Sequence, residues 1–321
     1  MEPITWKKLG RCFVPNGQHP FIVSHACTPT PQYRPETDRI RVYFAPRNAR
    51  GQSIPTFLEV DAADPTRLCY LHDRPVMDLG QRGTFDDGGI MPCSLVALDD
   101  GTLYLYYVGW NPSVSVPYRN AIGLAVSRDG GDTFERPFPG AVVDRNRHEP
   151  YFTASPCVLR EGERWHLIYA SSTGFVEVNG KPEPLYHLKY AHSTDGIEWV
   201  RPNETVIAPR HPLAANARPC VLRDGDGYRM WYCHRDSHDF RDGSGSYRIG
   251  YAESSDARHW TRLDEQAGIA YAPDPDAWDA TMQTYPGVVD TPHGRYLFYN
   301  GNGFGRTGIG VARAVASSLT R

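Results

Sequence analysis

Helical periodicity is nearly absent from this chain, so the sequence gives no support to an α-helical core. No apolar run reaches the roughly 18 residues that cross a bilayer, and no apolar segment of signal-peptide type stands near the N-terminus, so neither a membrane span nor classical secretion is expected. Lys and Arg (34) nearly balance Asp and Glu (37), the net charge is −3, and the basic residues are scattered. Charge-driven binding to nucleic acid or to an anionic membrane is therefore excluded. The seven cysteines are odd in number and none forms a Cys-x-x-Cys pair, which points to free thiols and a reducing cytoplasm. The run Asn300-Gly301-Asn302-Gly303-Phe304-Gly305 opens no helix and so cradles no phosphate. No Ser-His-Asp order stands out. His25, His148, Glu149, His211, His234 and Asp236 lack short metal-ligand spacing, so neither a metal nor a cofactor is expected.

What the chain does have is a repeat. Met91-Pro92-Cys93-Ser94-Leu95, Ser155-Pro156-Cys157-Val158-Leu159, Arg218-Pro219-Cys220-Val221-Leu222 and Tyr285-Pro286-Gly287-Val288-Val289 are copies of one segment, with a degenerate first copy at Cys27-Thr28-Pro29. Successive prolines are 63, 64, 63 and 67 residues apart, and a fixed period signals a repeat architecture. Each period carries the Pro-Cys strand, a Gly turn, an alternating aromatic strand such as Leu103 to Val108, and a third strand such as Ala121 to Val126. A polar turn and an aromatic residue follow. Four strands per unit, repeated radially, predict an all-β five-bladed β-propeller of four-stranded antiparallel blades in a single domain. The blades are expected at about 24–71, 86–145, 149–209, 213–265 and 279–314. The last lacks an outer strand. Trp199-Val200-Arg201-Pro202 and Trp260-Thr261-Arg262-Leu263 begin that strand elsewhere, and Thr5-Trp6-Lys7-Lys8-Leu9 matches them. The N-terminal strand, residues 4–14, is therefore expected to complete blade five and close the ring. Cys93, Cys157 and Cys220 take equivalent repeat positions as small buried side chains.

The five-bladed period, with carboxylates just before the inner strands, resembles the arabinanase, levansucrase and invertase superfamily of glycoside hydrolases (families 43 and 32). The turn Ser127-Arg128-Asp129-Gly130-Gly131-Asp132-Thr133-Phe134 resembles the Asp-box of sialidases, where it is a structural Asx turn. Runs such as Ser-Pro-Cys-Val-Leu and Tyr-Asn-Gly-Asn-Gly are similar to those of propellers associated with glycan and natural-product biosynthesis. The resemblance covers the whole chain and implies a sugar substrate bound at the mouth of the central channel.

Inner strands start at that mouth and second strands end there. One group of candidates precedes the repeated prolines: His25, Asp86, Asp87, His148, Glu149, Arg218, Asp279, Gln283 and Tyr285. The other follows the second strands: Arg47, Trp110, His234 with Arg235 and Asp236, and Asn300. Sugars want fixed donors and acceptors for hydroxyls and an aromatic platform for C–H faces. Glu149, in Arg147-His148-Glu149-Pro150-Tyr151, is the expected acid, at a place where the resembling superfamily often has one. Asp87 or Asp279 is its expected carboxylate partner, and His25 an alternative base. Trp110, Asp86, His148, Arg218, His234, Asp236, Gln283, Tyr285 and Asn300 are expected to bind substrate. Blade one departs from the superfamily. Ser24-His25-Ala26-Cys27-Thr28-Pro29 has no carboxylate where the hydrolases carry an Asp. The primary expectation is a hydrolase-like enzyme acting on a small sugar or sugar-containing metabolite. A dehydratase or lyase acting on a sugar or nucleoside, and a non-catalytic sugar-binding propeller, are the alternatives.

Overall fold

A computed structural model describes residues 1–241 and 243–316. The first strand, β1 (Ile4–Phe13), belongs to the last blade. Blade one is β2 (Ser24–Arg34), β3 (Arg39–Arg47), β4 (Thr56–Asp61) and β5 (Leu68–Leu71). Blade two is β6 (Gly89–Ala97), β7 (Leu103–Pro112) and β8 (Tyr118–Ser127). Blade three is β9 (Thr153–Glu161), β10 (Arg164–Val178), β11 (Lys181–Ser193) and β12 (Val200–Ile207). Blade four is β13 (Ala214–Asp224), β14 (Gly227–Asp236), β15 (Arg248–Ser254) and β16 (Thr261–Arg262). Blade five is β17 (Thr284–Thr291), β18 (Gly294–Asn300), β19 (Ile309–Ala316) and β1. The innermost strands touch in the cyclic order β2, β6, β9, β13, β17 and back to β2, which is a five-bladed propeller. Blade two is three-stranded. Its outer position is held only by the bridges Ile122–Val143 and Val126–Glu135. No helix among the described residues is long and apolar enough to cross a membrane.

The ring closes as the aromatic-x-cation pattern suggested. β1 pairs antiparallel with β19, placing Trp6 opposite Ala314 and Lys8 opposite Ala312. Trp6 is buried and meets Trp231 of blade four edge-on at 5.4 Å, so the closing strand also locks the neighbouring blade. Trp6→Ala should destabilise the protein by about 3–5 kcal/mol, the usual cost of truncating a buried Trp, and this is measurable by denaturant unfolding. A midpoint equal to wild type would refute the velcro role of β1.

The repeated Cys position has a use beyond packing. Ser94 Oγ accepts the Val158 N–H at 3.0 Å, Cys157 Sγ accepts the Val221 N–H at 3.3 Å, and Cys220 Sγ accepts the Val288 N–H at 3.2 Å. Three consecutive inner-strand junctions, β6–β9, β9–β13 and β13–β17, are thus stitched by a small side chain. In blade two this place falls to Ser94, because a bulge at Pro92–Ser94 shifts the register, and Cys93 is not the equivalent of Cys157. The polar turns are structural. Burial alone would raise the Asp129 carboxyl, but the hydroxyls of Thr133 and Ser127 and the N–H groups of Thr133 and Asp132, all of which it accepts, outweigh this and hold it down at about 2. Gly131 (φ +89°) lies so close to the Tyr43 hydroxyl that no Cβ would fit.

Candidate functional site

A cavity of about 280 Å³ lies at one end of the channel, built from three repeated positions. The residues before the repeated prolines contribute Thr28, Met91, Ser155 and Tyr285. The ends of the second strands contribute Arg47, Trp110 and Arg235. Asn120, Tyr186 and Tyr247 also line it, each seven residues before the turn serines Ser127, Ser193 and Ser254. Phe240 and Arg241 come from the loop after β14, and Phe304 from the one-turn helical segment Asn302–Gly305 between β18 and β19. Trp110 lies against Gly88 and Gly89, where a Cβ would collide with the indole, so this Gly-Gly pair seats the platform.

The pre-proline residues reach the cavity through an unusual backbone. Thr28, Ser155, Arg218 and Tyr285 have φ of +55°, +48°, +51° and +56°, and the inner strands bulge there. Left-handed φ is uncommon for non-glycine residues and strained for a β-branched one. Its recurrence in four blades turns one side chain per blade toward the axis. Arg218 is not part of the cavity lining and lies against the blade-one inner strand. It is 2% exposed and donates to the Pro29 carbonyl at 3.2 Å and Thr30 Oγ1 at 3.0 Å, and its Nε has no partner.

The wall is cationic and aromatic. Arg235 is buried, stacks on Phe240 at 3.8 Å from ring centroid, and donates to Ser237 Oγ (2.8 Å), the Pro184 carbonyl (2.6 Å) and the hydroxyls of Tyr186 and Tyr247. Those two hydroxyls also bond to each other. Burial, more than any neighbouring charge, pushes the Tyr247 hydroxyl well above its ordinary range. Arg241 is neutralised by both oxygens of Glu183 at 2.9 Å. Among the described residues, no Asp or Glu lines the cavity.

The predicted acids are elsewhere, and their positions correct the expectation. Tyr107, Tyr169, Tyr232 and Tyr299 occupy one repeat position in the second strands, and each hydroxyl bonds to a carboxylate: Asp86, Glu149, Asp264 and Asp279. Each carboxylate also meets a cation from its blade's outer strand position. Arg136 lies 2.7 Å from Asp86, Arg201 lies 3.1 Å from Glu149, Arg262 lies 3.0 Å from Asp264, and Lys8 lies 2.6 Å from Asp279. Lys189 adds a second cation at 3.7 Å from Glu149. Every cation sits two residues after an aromatic, as in Phe134-Glu135-Arg136 and Trp6-Lys7-Lys8. In blades two, three and five the motif is a clamp tying the inner loop, second strand and outer strand position together; in blade four the carboxylate, Asp264, comes from just after the outer strand. Asp86, Glu149 and Asp279 are at most 2% exposed and engaged on all sides, so the structure does not bring them together as an acid/base pair. Blade one has Phe44 in place of the tyrosine, which accounts for the missing blade-one carboxylate. A hydroxyl-free ring leaves nothing for an acid to accept.

The remaining candidates divide. Trp110 and Tyr285 line the cavity as expected. Asn300 is fully buried: its Oδ1 accepts the Thr28 N–H at 3.0 Å and its Nδ2 donates to the Ala26 carbonyl at 2.7 Å, so it pins the blade-one strand instead of meeting a ligand. Gln283 is spent on the Ala270 carbonyl at 3.1 Å. His148 is exposed beside Arg147, and Asp236 faces His211 at 3.4 Å; neither lines the cavity. Asp87 takes the Gly83 N–H on Oδ2 at 2.7 Å, while its buried Oδ1 has no hydrogen bond. His234 also lies outside the lining, and burial pulls it down to about 4. His25 is likewise outside the lining and bonds through Nδ1 to Ser24 Oγ at 2.8 Å. Burial first, then the charges of Arg47 and Arg306, bring its imidazole to about 4. Tyr118, Tyr186, Tyr247 and Phe240 were missed. The recurring place before the turn serines was the signal for Asn120, Tyr186 and Tyr247, and no repeat marks Phe240.

Two proteins of Mycobacterium tuberculosis match nearly the full length of this chain. Uncharacterized protein MT1551 (strain CDC 1551 / Oshkosh) is 37% identical over 310 residues, covering 96% of this chain and 99% of the relative. The chain belongs to the same family as that protein. Uncharacterized protein Rv1502 (strain ATCC 25618 / H37Rv) is a second member at 36% identity, with the same coverage. No family model matches the sequence. Among solved structures, the family fold is similar to that of a glycoside hydrolase (TM-score 0.74, 16% identity, 99% of this chain and 95% of the other). It is also similar to a protein described under the GH130 family of mannoside phosphorylases and β-1,2-mannosidic glycoside hydrolases (0.68, 13%, 99% and 96%). A thermostable family-43 glycoside hydrolase is a third such structure (0.59, 14%, 94% and 92%). This chain therefore has a five-bladed propeller fold like that of the glycoside hydrolases it is similar to in structure.

Proposed function

We propose that this protein is a carbohydrate-active enzyme that takes a small sugar or sugar-containing metabolite into the axial cavity. The glycoside hydrolase propellers that share its fold support the substrate class. The observation that carries the reaction is the absence of any Asp or Glu from the described cavity lining. Glycoside hydrolysis ordinarily works through two carboxylates flanking the scissile bond. The proposed reaction is therefore elimination of water from a sugar or nucleoside. In that step a base removes a proton from a ring C–H, the neighbouring C–O bond breaks, a double bond forms, and the departing hydroxyl leaves as water with a proton from the acid. Tyr247, kept protonated by burial, bonded to the Tyr186 hydroxyl and oriented by Arg235, is suited to be the acid. His25, neutral above about pH 4 and placed just outside the lining, where it feels the charge of the lining residue Arg47, is the proposed base. A cytoplasmic, biosynthetic setting belongs to the same proposal, in keeping with seven free thiols.

Incubation with a panel of glycosides, nucleosides and nucleotide sugars, followed by mass spectrometry, tests the reaction. Loss of one water from a substrate is expected, and Tyr247→Phe should slow it by about 100-fold while leaving the fold intact. Gain of water across a bond would make the protein a hydrolase. Binding without conversion would make it a sugar-binding propeller.

A further inference from the structure

We propose that Arg47 and Arg235 form an anion-binding site in the axial cavity, so that the sugar it accepts carries a phosphoryl or carboxylate group. This deepens the reading of the cavity as a sugar site and rests on it. The two arginines stand at the same repeat position, the end of the second strand, in blades one and four, and both line the cavity. Neither the buried Arg235 nor the half-buried Arg47 has a carboxylate within ion-pair distance among the described residues, unlike the buried Arg41, with Glu59 at 2.8 Å, and Arg229, with Asp224. Arg47 Nε is buried with no hydrogen-bond partner. Arg235 spends its donors on hydroxyls and carbonyls only, which leaves its full charge uncompensated.

A third cation reinforces the field. Arg218, 2% exposed and held against Pro29 and Thr30 of the blade-one inner strand, also lacks a carboxylate partner among the described residues and has an unpartnered Nε. Uncompensated buried charge is costly, and repeated buried cations without acids are the arrangement that an incoming anion would complete. The arginine fork matches the planar carboxylate and the phosphoryl oxygens, with charge-assisted bonds. The aromatic rings of Trp110, Tyr285 and Phe304 leave the rest of the lining suited to the sugar ring. His25 reports the same imbalance, since the charge of Arg47 is one of the causes that depress its imidazole.

Binding is measured by titration calorimetry on the full chain with glucose 1-phosphate, glucuronate, inorganic phosphate and neutral methyl glucoside. The His25 imidazole resonance is followed in parallel. At least one anionic probe is expected to bind about tenfold or more tighter than methyl glucoside, to weaken with added salt and to raise the His25 pKa. Arg47→Gln should remove that preference, and Arg47→Lys should restore part of it, with unchanged circular dichroism in both. Competition between inorganic phosphate and an anionic sugar places the charge on the sugar. Phosphate that binds alongside methyl glucoside without competing would instead be a separate anion and overturn the anionic-sugar assignment. Failure of every anionic probe to outbind methyl glucoside, or equal anion binding by wild type and Arg47→Gln, also overturns the proposal. These readouts are independent of turnover. Anion binding with no sugar conversion would leave the site standing and remove the enzyme, while conversion of neutral sugars at wild-type rate by Arg47→Gln would do the reverse.

Discussion

Glu149→Ala is expected to cost about 3–5 kcal/mol of stability, because it leaves buried cations without their acid. Glu149 is 2% exposed and holds Arg201 at 3.1 Å and Lys189 at 3.7 Å, with the Tyr169 hydroxyl on both its oxygens at 3.0 and 3.1 Å. Lys189 is itself largely buried, and burial lowers its ammonium pKa while the Glu149 charge works the other way. Without that carboxylate, burial and the Arg201 charge are left acting together on the ammonium. Glu149→Gln should cost less than alanine because the amide oxygen can still accept from Tyr169. Tyr169→Phe should cost about 1 kcal/mol, the net value of one hydrogen bond. Urea unfolding of the three variants ranks them. A Glu149→Ala protein that unfolds at the wild-type midpoint would dismiss the clamp and reopen the case for Glu149 as a free acid.

Acidification should weaken the fold between about pH 6.5 and pH 4. His25, His187 and His234 are each brought to about 4, in every case mainly by burial. Their unfolded value is near 6.5. Within that window the unfolded chain binds protons that the native protein does not, so stability is present above the window and is lost as pH falls through it. Each histidine can contribute a slope of up to about 1.4 kcal/mol per pH unit, less where water reaches the ring. The turn carboxylate Asp129, held at about 2, loses its contribution only further down. Unfolding midpoints measured from pH 8 to pH 4 should be flat at first and then fall, and His25→Gln should flatten the descent. Imidazole resonances of the folded protein titrating near 6.5 would contradict this account.

Much of the propeller was legible because its determinants are local and repeated. Trp6-Lys7-Lys8 matched Trp199-Val200-Arg201 in type and spacing, and the structure puts Lys8 on Asp279 just as it puts Arg201 on Glu149. The outer edge of blade two was less legible. The Phe134-Glu135-Arg136 signal is present, but that segment makes only isolated bridges. The candidate site was half legible. Trp110 and Tyr285 were found by counting from the repeat, as was the neighbourhood of Arg47 and Arg235. The acids lie in the expected loops, but their carboxyls meet a tyrosine and a cation of their own blade and do not line the cavity. Spacing says which loop a residue belongs to, not which way its side chain turns. The tyrosines at 107, 169, 232 and 299 were the overlooked evidence, since a buried hydroxyl needs a partner. Phe44 in the one blade without a carboxylate was the matching clue.

By itself, the sequence determined the number of blades, the closure by the first strand and the set of loops that meet at the axis. Periodicity in strands and turns is a property of neighbouring residues, and closure follows from one missing strand. Only the tertiary structure decided which charges face the cavity. The carboxylates turn outward because tyrosines and outer-strand cations satisfy them within each blade. Three arginines, Arg47, Arg218 and Arg235, are left without an acid among the described residues, and the electrostatic character of the axis is theirs.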